Sequence, residues 1–138
     1  MLQVFTHRQA AGERPFFLYF ALTAPHKPLW PHERFRGKSQ AGPYGDFIMQ
    51  VADTVGRVLA AIDEAGVREN TLVIYTSDNG YQWGEHGLTD KRWPYEESIR
   101  IPFLLRYPAS GHAPGGAVDA LVANVDVAPT LLDLAGLA

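Results

Sequence analysis

Hydrophobic and polar positions fall into distinct regimes along the chain. Residues 15–22, Pro-Phe-Phe-Leu-Tyr-Phe-Ala-Leu, form a short, continuously apolar run bounded by Pro15 and Pro25. Its length and aromatic content predict a strand buried on both faces. Residues 23–43 then hold Pro25, Pro28, Pro31, Gly37, Gly42 and Pro43, which predicts a long loop. Long loops of this kind in compact domains are functional or disordered. Over 44–65 the pattern changes: Ile48, Val51, Val55, Val58, Leu59 and Ile62 recur at intervals of three and four, with Asp46, Gln50, Asp53, Thr54 and Arg57 between them. This spacing predicts an amphipathic helix with one face on a core, stopped at Gly66. Thr71 to Thr76 is a β-branched strand ending in the turn residues Ser77-Asp78-Asn79-Gly80.

Beyond the turn, residues 80–97 read as a Gly-rich, charged loop, and 101–107 as a strand with Pro102 tolerated near its start. A Gly/Pro loop over 108–116 and a weaker strand over 117–125 follow. Asp126 is positioned to cap a last helix running through Leu134 and ending at Gly136. Together these elements predict an α/β layered architecture with a largely buried sheet. Ligands in such sheets lie beyond the carboxyl ends of strands. Two polar clusters stand there: Thr23 to Pro28, and Ser77 to Gly80.

Composition narrows the function classes. With 138 residues, the length matches one domain, and 46% apolar with 20% charged residues is a globular balance. Twelve basic against fifteen acidic residues give a net charge of −3, which excludes a general nucleic-acid binder. No apolar run approaches the ~18 residues that span a bilayer. Met1 to Arg8 lacks a signal-peptide pattern. The chain contains no cysteine, so these residues offer no disulfide, thiolate zinc site or cysteine nucleophile.

Three places could carry chemistry. Asp78-Asn79 puts a carboxylate beside an amide oxygen, a donor set suited to a hard divalent cation, although a plain turn has the same sequence. Two ligands also fall short of the ~6–8 oxygens calcium takes. His26, between Pro25 and Pro28, is fixed enough to serve as a general acid or anion donor, or is an ordinary loop histidine. Lys91 could bind a tetrahedral oxyanion as a point charge, or be a solvated lysine paired with Asp90 or Glu96. His32 has an ordinary setting, and His7 and His112 read as solvated. Glu96 and Arg100 have helical ion-pair spacing and read as structural support. Trp83, Trp93 and Tyr95 suit either a sugar or aryl subsite or packing beneath the loop. The residues alone reach a metal-assisted site for a tetrahedral oxyanion ester, with sulfate and phosphate both open.

The order of motifs resembles the sulfatase family of the alkaline-phosphatase superfamily. The likeness runs through Pro15-Phe16-Phe17-Leu18-Tyr19-Phe20 and Pro25-His26-Lys27-Pro28, then Tyr75-Thr76-Ser77-Asp78-Asn79-Gly80 and Gly84-Glu85-His86-Gly87-Leu88. It continues from Asp90-Lys91-Arg92-Trp93-Pro94 to Ile101-Pro102 and closes on Asp126 to Gly136. The resemblance implies an alkaline-phosphatase-like layered sheet with flanking helices, incomplete here. It implies that Asp78 and Asn79 ligate Ca2+, that His26 contacts the sulfate or leaving-group oxygen, and that Lys91 binds the sulfate. In the family a formylglycine hydrate, made from cysteine or serine in a Cys/Ser-x-Pro/Ala-x-Arg motif, attacks sulfur; a histidine protonates the departing alcohol, and sulfate leaves as the aldehyde reforms.

That nucleophile motif is absent from the sequence, as are the upstream aspartates that complete the calcium site. The expectation is therefore the carboxyl-terminal part of a sulfatase catalytic domain, residues 1–138, lacking the nucleophile segment and not competent alone. The run from Gly84 to Pro102 looks most like sulfatases of sulfated carbohydrates. Two alternatives stand beside it: a phosphodiesterase or phosphonate hydrolase of the same superfamily, disfavoured by Asn79 where those relatives carry histidine, and a non-catalytic fragment. A periplasmic or secreted location fits the full-length protein by resemblance. Missing strands would leave exposed sheet edges and so favour self-association.

Overall fold

The computed structural model describes residues 15–111 and 115–137; the expectations for His7 and His112 lie outside them. The chain divides into two compact units, residues 1–71 and 72–138.

The first unit is organised by one long helix, α1 (Gly42–Glu64). Its buried stripe is Phe47, Val51 and Ile62, with Val55 and Val58 half-buried between them, a run of three- and four-residue steps. Ile48, expected on this face, is 40% exposed, and Phe47 takes its place. The helix ends in a Schellman motif: Val67 N–H donates to the Ile62 carbonyl and Gly66 N–H to that of Asp63. Gly66 supplies the left-handed residue this closure needs, at φ 70°.

The opposite, polar face of α1 is also occupied. Asp46, Gln50 and Asp53, spaced i, i+4 and i+7, reach the Pro-rich loop that precedes the helix. Asp46 accepts three backbone N–H bonds, from Gly37 (2.7 Å), Lys38 (2.9 Å) and Ser39 (2.7 Å). Gln50 Oε1 accepts from His32 N–H at 2.7 Å, and Asp53 pairs with Arg34. Gly45 lets the loop lie close, because a Cβ there would stand 2.1 Å from Ser39 Oγ. The loop expected over 23–43 is thus present, tied to the helix and carrying one 3-10 turn, Glu33–Phe35.

Residues 15–22 depart from expectation. They carry no strand, and Phe17 and Tyr19 are 77% and 81% exposed, so they form no doubly buried strand. Apolar content alone makes no strand: a ladder needs a neighbour to take its N–H and C=O groups. Among the described residues no strand pairs with this run.

The second unit contains β1 (Val73–Thr76), β2 (Gln82–Trp83), β3 (Thr89–Asp90), α2 (Glu96–Ile99), β4 (Phe103–Arg106) and α3 (Val127–Leu134). β1 pairs antiparallel with β4, Val73 opposite Arg106 and Thr76 opposite Phe103. β2 and β3 form a short antiparallel hairpin within the expected loop. The sheet is not the largely buried one expected, since Leu104 and Leu105 of β4 are 63% and 53% exposed. Residues 117–125 are not a strand either, and Val118 and Leu121 face solvent. They too lack a ladder partner among the described residues. Asp126 stands at the start of α3, but its carboxylate accepts from Ala123 N–H at 2.8 Å, closing the preceding 3-10 turn instead of capping the helix. α3 closes in a second Schellman motif at Gly136.

Candidate functional site

The best-formed polar constellation in the second unit lies where β1 ends. Ser77 to Gly80 leaves the strand as a turn held from three sides. Ser77 Oγ donates to the Asn79 carbonyl at 2.9 Å. Asn124 Nδ2 donates to the Asp78 carbonyl at 3.1 Å, joining residues 46 positions apart. Gly80 N–H donates to the Ser98 carbonyl at 2.8 Å. Gly80 has no room for a side chain, since a Cβ would lie 2.1 Å from the Glu97 carbonyl oxygen. This close approach, not an unusual φ, explains the glycine.

The turn presents its oxygens outward. The Asp78 side chain is exposed, and its carboxylate takes a long 3.4 Å bond from Ser77 Oγ. Asn79 Nδ2 donates to the Gly80 carbonyl at 2.6 Å, which orients the amide. Its oxygen then faces Lys91, whose Nζ donates to it at 3.1 Å. Lys91 therefore does not pair with Asp90 or Glu96. The Asp90 carboxylate instead accepts from Arg92 Nε and Lys91 N–H, both at 2.9 Å. Those two groups, the Arg92 side chain foremost, hold the Asp90 carboxyl below its usual range. Asp90 itself adopts φ 82°, a left-handed conformation that turns the chain so that Lys91 can reach back to the turn.

The rest of the 80–97 segment is a scaffold for this lysine. His86 stacks on Tyr95 at 4.1 Å and meets Glu97 at 3.3 Å. The backbone N–H groups of Glu85 itself and of Trp83 hold the Glu85 carboxyl low. Glu96 and Arg100 form the expected ion pair, at 3.7 Å. Trp83 and Trp93 are each 52% exposed, and Trp83 packs on the Tyr81 ring at 4.6 Å.

His26 belongs to the first unit. It is exposed, its backbone N–H donates to the Thr23 carbonyl at 3.1 Å, and its Nδ1 donates to the Lys27 carbonyl at 2.7 Å. His32 is structural: its Nδ1 accepts from Arg34 N–H and its N–H is held by Gln50.

Asp78, Asn79 and Lys91, expected from the sequence as one site, lie together in the structure, but what holds them carried no local signal. Asn124 is separated too far along the chain to give any local signal. His86 and Glu97 lie eleven residues apart, beyond helical spacing. Among the described residues no group of three or more His, Cys, Asp or Glu side chains could hold a metal ion. The donors at the turn are hard oxygens, the type a divalent cation takes, and one of them already carries an ammonium.

The comparisons give these features a class. The family model described as Sulfatase matches residues 1–137, and the chain belongs to the sulfatase family. It is 38% identical to N-acetylgalactosamine-6-sulfatase of Canis lupus familiaris over 97% of this chain and 27% of that protein. It is 45% identical to N-acetylglucosamine-6-O-sulfatase of Bacteroides thetaiotaomicron over 64% of this chain and 16% of that protein. A solved structure of a protein in complex with its substrate D-glucosamine-2-N,6-O-disulfate superposes with a TM-score of 0.65 and 42% identity, over 70% of this chain and 19% of that one. The expected alkaline-phosphatase-like α/β class accords with such neighbours. The chain thus spans about a quarter of the length of the first curated relatives it matches. Among the described residues no helix is long and apolar enough to cross a membrane.

Proposed function

We propose that the chain is part of the catalytic domain of a sulfatase that hydrolyses sulfate esters of sulfated carbohydrates. Asp78 and Asn79 would hold a calcium ion, Lys91 would neutralise a sulfate oxygen, and His26 would meet the sulfate or the leaving-group oxygen. The observation that carries this reading is the Lys91 Nζ to Asn79 Oδ1 contact of 3.1 Å beside the exposed Asp78 carboxylate. A cation oxygen set and an ammonium within one hydrogen bond are the parts needed to bind a doubly charged tetrahedral group.

When bound, calcium would supply charge that stabilises the sulfuryl oxygens as the ester bond weakens. The residues here do the rest. The turn fixes the two oxygens without spending the Asp78 carboxylate on the protein. The Asn79 amide is locked so that its oxygen, not its nitrogen, faces the ligand. Lys91 is delivered by Asp90 and Arg92 to the same place. His26, exposed and with Nδ1 held by the Lys27 carbonyl, would offer Nε2 to a departing alcohol. Trp83 and Trp93 offer exposed rings for sugar stacking.

The formylglycine nucleophile and further calcium ligands are absent from these residues, so the pure chain is not competent alone. It binds calcium weakly, as affinity follows ligand charge and number. The exposed run at 16–20 and the exposed Leu104 and Leu105 support self-association through apolar surface. A secreted or periplasmic setting belongs to the same reading. The test is calorimetric calcium titration of the chain with Asp78→Ala as control, together with an assay on a sulfate ester. Weak binding that weakens further by on the order of tenfold in the variant is expected. Calcium-dependent turnover by the pure chain would overturn the claim of incompetence, and equal affinities would overturn the metal assignment.

A further inference from the structure

Asn124 has no part in the chemistry assigned above, yet it reaches the backbone of the turn that carries Asp78. Its Nδ2 donates to the Asp78 carbonyl at 3.1 Å and, at a longer 3.4 Å, to that of Ser77. Both partners are carbonyl oxygens, so the nitrogen end of the amide must be the end that faces them.

These two acceptors occupy a special place. A peptide group is planar, so a carbonyl held in direction holds its whole peptide. The Ser77 and Asp78 carbonyls belong to the two peptides that flank the Asp78 Cα. Fixing both fixes φ and ψ of Asp78, and with them the direction in which its Cβ and carboxylate leave the chain. Asn124 thus acts on an exposed carboxylate through the backbone. Ser77 Oγ, on the Asn79 carbonyl at 2.9 Å, does the same for the next peptide.

Asn124 is itself delivered to the turn. It opens the 3-10 turn Asn124–Asp126, which Asp126 closes by accepting from Ala123 N–H at 2.8 Å. Thr130 Oγ1 ties that turn to α3 by donating to the Asp126 carbonyl at 2.7 Å. None of these bonds uses the Asn124 side chain, so the turn stays closed without it. The side chain is also exposed, and a hydrogen bond from an exposed group replaces one to water with little net gain in stability. What it supplies is direction: a carboxylate already aimed gives up less conformational freedom when it takes a cation.

We propose that Asn124 is a positioning residue for cation binding. By bridging the Ser77 and Asp78 carbonyls it pre-sets the Asp78 carboxylate, so cation affinity is governed from 46 positions away by a side chain that is no ligand. The inference rests on the reading of Asp78 as a cation ligand, and it adds a dependence on the turn before α3.

The experiment is a double-mutant cycle on the purified chain with calcium alone as the probe, read by calorimetry and by the amide shifts of Asp78 and Asn79. Asn124→Ala is expected to weaken calcium binding by about fivefold, the scale of one hydrogen bond, with the urea midpoint nearly unmoved. Asn124→Leu, of similar size and without donors, should match it. Asn124→Gln, which keeps the donors, should recover part of the loss. In an Asp78→Ala background, Asn124→Ala should change affinity by less than about twofold, since the carboxylate it directs is gone. Equal affinities for the unaltered chain and Asn124→Ala, or an equal loss in both backgrounds, overturn the positioning role and leave the cation reading standing where Asp78→Ala alone weakens binding. Affinity indifferent to Asp78→Ala overturns both. A urea midpoint that falls along with affinity in all three Asn124 variants makes the residue a structural one and overturns the proposal as well.

Discussion

Asp46 and Asp78 are the same residue type in opposite circumstances. Asp46 is 4% exposed and spends both carboxylate oxygens on the N–H groups of Gly37, Lys38 and Ser39. Asp78 is exposed, with only a long contact from Ser77 Oγ. The first is a structural clamp: it replaces the hydration of three loop amides and lets the loop lie on α1. The second is held in place through its backbone and keeps its charge unspent. A carboxylate available to a ligand is recognised by what its side chain does not bond, with the backbone alone doing the positioning.

The largest test of that contrast attacks the backbone of the turn. Gly80→Ala places a methyl where the Glu97 carbonyl oxygen stands, 2.1 Å from the new Cβ. The close approach and the Gly80 to Ser98 hydrogen bond cannot both survive, and overpacking of this kind costs about 1–3 kcal/mol. Urea denaturation followed at amides of residues 73–106 should show the loss, with calcium binding falling at the same time. An unchanged midpoint would show that the turn does not depend on this contact.

Asp46→Asn is next and should move stability without moving cation affinity. The amide has one acceptor oxygen for three donors and brings donors of its own. The N–H groups of Ser39 and Gly37, with Lys38, hold the Asp46 carboxyl below its usual range despite its burial. A carboxyl whose pKa is lowered by folding stabilises the folded state above its unfolded pKa. That stabilisation is lost as pH falls through the lowered value. The acid limb of a Tm-against-pH curve should therefore be shallower in the variant. A parallel limb in both proteins would refute the clamp.

The two aspartates also differ in how far the sequence announced them. The helix was legible because its apolar stripe repeats with helical period, and Val51 and Ile62 are buried where the period puts them. Asp46, Gln50 and Asp53 looked like a solvent face, because nothing local says that a loop will lie across them. The turn was legible from Asp78-Asn79-Gly80 as a turn, and the nearness of Lys91 to it from the order of the motifs. Asn124 was not, because its bond to Asp78 spans 46 positions and has no periodicity. Residues 15–22 and 117–125 failed for a related reason. Apolar content is a local property, whereas strand formation depends on a partner elsewhere in the chain. The errors therefore concentrate on non-local pairing, and the successes on turns and helical period.

The smallest effect concerns the charged side chain that touches the turn. Lys91 Nζ sits on the Asn79 oxygen that a cation would take. Both groups are exposed or half-buried, so the contact is worth little by itself. Its charge nonetheless opposes an arriving cation, and its hydrogen bond must break or bend when that oxygen turns to a metal. Lys91→Met keeps the length of the stem and removes both effects. Calcium affinity should rise, by roughly threefold given the screening expected at an exposed site. Asp46→Asn should leave that affinity alone, since its carboxylate is committed to the loop. The measurement is the same calorimetric titration at two salt concentrations. The gain in Lys91→Met should shrink at the higher one, because repulsion between exposed charges is screened. A fall in affinity on removing Lys91 would mean that the ammonium orients the Asn79 amide for the metal instead of competing with it, and the turn would then not be fixed by its backbone alone.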